Sequence, residues 1–84
     1  MNNDKYRLYL FDNFRDLLDR ARLARDDSRT FQETLATVAF QQGRAMAYYE
    51  VISHLVAQLD AFEIDPASVG LDPSFDPARD LLLQ

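Results

Sequence analysis

From Thr30 to Phe62 the chain contains no proline and a single glycine, Gly43. That uninterrupted run constrains the fold more than any other feature. Apolar residues recur through it at helical spacing. One stripe follows Phe31, Leu35, Val38, Ala45, Tyr49, Ile52, Val56 and Leu59, with Gln42 interrupting it. A second, displaced round the helix, follows Phe40, Ala47, Val51, Leu55 and Phe62. Between Ala45 and Val56 the run AMAYYEVISHLV is apolar on most sides, and a helix of that kind touches more than one neighbour. Thr30-Phe31-Gln32-Glu33 has the spacing of a capping box, with the Thr30 hydroxyl accepting from the Glu33 amide and the Glu33 carboxylate from the Thr30 amide. These signals predict a long helix over residues 30–62.

Upstream, Leu10, Phe14, Leu17, Ala21 and Ala24 step by four and three residues, widened by Phe11 and Leu18. Asn3 or Asp4 supplies an N-cap. The opposite face carries Asp12, Arg15, Asp16, Asp19, Arg20 and Arg22, with Asp16 and Arg20 spaced as an i,i+4 pair. The polar run Arg25-Asp26-Asp27-Ser28-Arg29 breaks the pattern and is expected to form the turn, which predicts a shorter helix over residues 4–25, antiparallel to the second. At 1.5 Å per residue the arms would measure about 33 Å and about 50 Å. Leu55, Val56, Leu59 and Phe62 would then lie beyond the end of the short arm, to be covered by the tail, a second copy or a partner.

The last twenty residues contain Asp65-Pro66, Asp72-Pro73 and Asp76-Pro77. Each sets an N-capping aspartate before a proline suited to the first helical position. Short helical turns are expected after Asp65 and Asp76, with Gly70 closing the first. Val69, Leu71, Phe75, Leu81, Leu82 and Leu83 offer apolar contacts for docking this tail on the hairpin. The expected fold is therefore all-α: one domain over 1–84, with a hairpin over 1–63 and a docked Asp-Pro tail over 64–84.

Composition narrows the function classes. An 84-residue chain with no cysteine is near the lower size limit for folding alone and has no disulfide to reinforce it. Helix packing and oligomerisation are what remain, and a homodimer closing two hairpins into a four-helix bundle is the expected assembly. No run of eighteen apolar residues exists to cross a membrane, and Met1-Asn2-Asn3-Asp4-Lys5 lacks the apolar core of a secretion signal, so a cytoplasmic protein is expected. The net charge of −5 argues against nucleic acid as the partner. It is unevenly spread: residues 1–29 hold seven basic and six acidic side chains, residues 30–84 two basic and eight acidic.

No residue set points to catalysis or to a cofactor. His54 with Glu50 one turn earlier offers two metal ligands, too few for a usual zinc site. Asp12, Asp16 and Asp19 share a face with Arg15 and Arg20 and suit a solvated surface. Arg15, Arg20, Arg22, Arg25 and Arg29 could contact a nucleic acid near the turn, but aspartates interleave them. A pocket lined by Tyr48, Tyr49 and His54 is a third possibility. The leading expectation is a non-enzymatic adaptor or regulator that binds another protein. Its candidate interface is Phe40, Gly43, Arg44, Ala47, Tyr48, Val51, Leu55 and Phe62, where small residues let a helix approach and aromatics supply contact area.

Overall fold

The computed structural model describes residues 3–30 and 34–82. Two long helices, α1 (Asn3–Thr30) and α2 (Leu35–Ala61), pack against each other. A 3-10 turn over Pro66–Val69 and a π-type turn over Ala78–Leu82 complete the chain. The chain measures 52 × 20 × 16 Å, two helices wide and little more than one thick.

The arms are equal, which corrects the expected mismatch. α1 has 28 residues and α2 has 27, each about 40 Å at the helical rise. The polar run at 25–29 is not the turn, because its side chains bond within the helix or across it. The Ser28 hydroxyl donates to the Arg25 carbonyl at 2.7 Å, and the Thr30 hydroxyl to the Asp26 carbonyl at 2.9 Å. Such back-bonds satisfy short polar side chains without ending a helix. Asp27 is also held from α2 by Arg44 Nη1 at 2.7 Å.

Thr30 therefore ends α1 rather than starting α2. Glu33, the other half of the expected capping box, lies outside the described residues, as do Phe31 and Gln32. The cap of α2 is Thr34, whose backbone is extended (φ −134, ψ 162) and whose hydroxyl accepts from the Thr37 amide at 3.0 Å. Asn3 and Asp4 are likewise inside α1, where Asp4 meets the positive end of the helix dipole.

α2 ends in a Schellman motif. The Glu63 amide donates to the Asp60 carbonyl at 3.0 Å and the Ile64 amide to the Leu59 carbonyl at 2.8 Å. Glu63 occupies the left-handed position usually taken by glycine, with φ 56. A side chain there costs roughly 1–2 kcal/mol. Glu63→Gly is expected to raise stability by about 1 kcal/mol, since it relieves that cost and loses part of the gain to unfolded-state entropy. Chemical denaturation should show a higher midpoint with an unchanged slope.

The core joins all parts of the chain. Phe14, Leu18 and Ala21 from α1, Ile52 and Leu59 from α2, and Val69, Leu71 and Leu81 from the tail form one buried cluster. Nearer the turn, Ala24 and Ala45 are buried as well. Leu55 and Val56 are half-buried against the cluster. The segment expected to overhang is thus lined by α1 and the tail, except for Phe62, which stays 71% exposed.

The Asp-Pro turns form as their local chemistry predicts. Asp65 caps the first by accepting from the Ala67 amide at 3.1 Å, and Gly70, at φ 79, closes it. There the Leu71 amide reaches the Pro66 carbonyl at 3.0 Å. Asp72 accepts from both the amide and the hydroxyl of Ser74 at 2.8 Å. Asp76 accepts from the Ala78 amide at 3.1 Å, while Asp80 reaches back to the Asp76 amide at 3.0 Å.

Asp80 also binds Arg79 Nε and Nη2, each at 2.9 Å. The Arg79 guanidinium, then the Asp76 amide, hold the Asp80 carboxyl down from 3.8 to about 2. Between those values the unfolded chain binds a proton that the folded chain does not, so stability rises with pH across the window. The contribution is present above about pH 4 and lost as pH falls through about 2. Melting temperature followed down to pH 2 should fall more for the parent chain than for Asp80→Asn in this window.

Candidate protein-interaction face

The tail covers only one side of the hairpin. At 100° per residue, Phe40, Ala47, Val51, Leu55 and Phe62 fall within an arc of about 80° on α2. This arc lies away from the tail-facing side, where Gln42, Ala45 and Met46 line a cleft of about 600 Å³ with Leu81 and Leu82. On the uncovered side, Leu17 of α1 with Ala47, Tyr48 and Val51 lines a shallow, wholly apolar groove of about 230 Å³ between the helices.

Exposure along this arc is high for such residues: Phe40 is 67% exposed, Val51 49% and Phe62 71%. Ala47 and Gly43 are exposed, while Tyr48 and Leu55 are half-buried. Gly43 admits no bulky side chain from α1, because a Cβ built there would meet nothing within 4 Å. Arg44 is half-buried and engaged, bonded to Asp27 and, at 3.3 Å, to Gln41. The candidate interface residues therefore lie on one side of α2, with Arg44 within the arc, between Phe40 and Ala47, and paired with Asp27.

A compact monomer of 9.7 kDa exposes about 5,100 Å² by the usual scaling with mass. This chain exposes 6038 Å², so the excess is about 900 Å². Helical amphipathicity should leave a polar stripe on the outside of each arm. α1 has one, with Asp12, Arg15, Asp16, Asp19 and Arg20 all exposed. On α2 the exposed residues include Ala36, Ala39, Phe40, Gly43, Ala47 and Val51, with Gln42, Glu50, His54, Gln58 and Asp60 as the polar ones.

The other candidates resolve differently. Arg15 pairs with Asp12 at 3.6 Å and with Asp16 at 3.7 Å, in place of the expected Asp16–Arg20 pair; both contacts are exposed and contribute little. Arg25 is committed to the fold: its Nη1 donates to the Asp80 carbonyl at 2.7 Å and its Nε to Asp26 at 3.0 Å. This staple between α1 and the tail spans 55 residues of sequence and has a backbone acceptor, so no sequence signal announces it. His54 and Glu50 are exposed, and among the described residues no group of three or more potential metal ligands occurs. Tyr48 lines the apolar groove, but Tyr49 and His54 lie at least 100° away round the helix. Among the described residues no buried polar side-chain atom lacks a partner, so the core holds no group waiting for a ligand.

A second cluster sits at the start of α1, where Tyr6, Leu8 and Tyr9 are 66%, 56% and 66% exposed. No described helix is long and apolar enough to cross a membrane. Comparison with protein-family models, curated proteins and solved structures finds no match to this chain. What defines the protein is thus its own geometry, a hairpin of equal arms with one face closed by the tail and the other apolar and open.

Proposed function

We propose that this chain is a cytoplasmic, non-enzymatic protein-interaction module, an adaptor or regulator that works as a homodimer in which two hairpins close into a four-helix bundle. The observation that carries this reading is the open apolar face running from Phe40 to Phe62, bordered on the α1 side by Leu17 in the groove with Ala47, Tyr48 and Val51. A run of exposed apolar residues along one side of a helix supports an interaction surface. Pairing would leave Tyr6, Leu8 and Tyr9 at the ends of the bundle, where tyrosines offer a further protein both apolar area and a polar tip.

Sedimentation equilibrium at micromolar concentration tests the assembly. The expected result is a mass of about twice 9.7 kDa. A single species of 9.7 kDa would contradict it.

A further inference from the structure

We infer that the two copies meet through the outer side of α2, helix against identical helix, crossing near Gly43 and Ala47 and leaving α1 on the outside of the bundle. This rests on the homodimer reading and specifies its geometry. α2 is apolar on both sides: Ala45, Ile52 and Leu59 are buried inward, while Phe40, Val51 and Phe62 are exposed outward. A helix with apolar residues on both sides, here with Glu50, His54 and Gln58 as polar groups on or beside the outer one, is suited to contact with more than one neighbour. α1, with its exposed stripe of aspartates and arginines, belongs at the surface.

Charge and shape favour a second copy as the occupant. Each chain carries a net charge of −5, so two copies repel unless they meet where charge is scarce. On the outer side of α2 the exposed carboxylate is Glu50, and Arg44 is already paired with Asp27. The identical stripe therefore meets itself with little like-charge opposition. Equal arms of 28 and 27 residues let a second hairpin match the first along its whole length. At the crossing, the open space above Gly43 and the small side chain of Ala47 one turn later let two helix axes approach to about 8 Å, the short end of the usual range.

The chain has no cysteine, so a single introduced cysteine can form a disulfide only between copies. A disulfide requires Cα atoms about 4.4–6.8 Å apart, which restricts it to the line of contact. Gly43→Cys, Ala47→Cys and, on the outer face of α1, Asp16→Cys would each be oxidised mildly in the full chain and run on a non-reducing gel. Circular dichroism would confirm that each keeps its helix content. At least one α2 variant is expected to yield roughly tenfold more covalent dimer than Asp16→Cys. If the parent chain sediments as a dimer but neither α2 variant exceeds Asp16→Cys, the α2-to-α2 geometry is overturned and the homodimer reading stands. A monomeric parent chain would overturn both.

Discussion

Replacing Ile52 with alanine should cost about 2–5 kcal/mol, the usual range for emptying a buried branched aliphatic site. Ile52 is 0% exposed and lies in the cluster where α1, α2 and the tail meet. Its neighbours come from three separate segments, so the cavity cannot close without moving one of them. A domain of this length has roughly 4–13 kcal/mol of total stability, and the substitution removes a large share of it. The melting temperature should fall by at least about 10 °C. Val51→Ala, next in sequence but pointing outward at 49% exposure, should leave the packing inside one hairpin almost untouched. The contrast between adjacent residues checks which side of α2 faces the core.

Val51→Glu should instead separate the copies while leaving the hairpin folded. In the single chain Val51 lines the open groove, so a carboxylate there remains hydrated. In the bundle two such carboxylates would enter an apolar contact close to each other, at a cost of desolvation and like-charge repulsion. A weakening of association by at least about 100-fold, near 2.7 kcal/mol, is expected. The parent chain's melting temperature should rise with protein concentration, as mass action requires of a dimer, and that of Val51→Glu should not. Helix content by circular dichroism should match between the two. Loss of helix in the variant would place Val51 inside a single hairpin's core.

Much of the fold was legible in local chemistry. The Asp65, Asp72 and Asp76 turns depend on a side-chain acceptor, a proline and one left-handed glycine, all close in sequence, and they form as that chemistry requires. The buried stripe of α1 follows from its period over Phe14, Leu18, Ala21 and Ala24, whereas Leu10 and Phe11, expected in it, are 38% and 41% exposed. The turn was misplaced for an identifiable reason. Asp26, Asp27 and Ser28 resemble a helix-breaking run, and Thr30 resembles a cap four residues before the actual one. What continues α1 through them is Ser28 and Thr30 bonding back to their own helix and Arg44 holding Asp27. The last of these is a tertiary contact that no local window contains. The shift removes most of the expected overhang and leaves apolar surface uncovered along the side of α2 at Phe40 and Val51, and at its ends at Leu35 and Phe62.

That shift is also what gives the candidate face its meaning. Periodicity showed that α2 had two apolar stripes; only the packed tail shows which stripe is left open. Phe40, Ala47 and Val51 lie on the open side, and Ala45, Ile52 and Leu59 on the closed one. The Arg25 staple to the Asp80 carbonyl helps keep the tail on its side, and it was invisible because the acceptor is backbone.

Small-angle X-ray scattering on the parent chain tests the central claim most directly, because it reads mass and length together. A side-by-side bundle doubles the mass to about twice 9.7 kDa while keeping the long dimension close to the 52 Å of one hairpin. A scattering mass of 9.7 kDa, with a radius of gyration close to the 14.6 Å of the single chain, would contradict the account. So would a doubled mass with a doubled length, since that would join the hairpins end to end and leave the face from Phe40 to Phe62 uncovered.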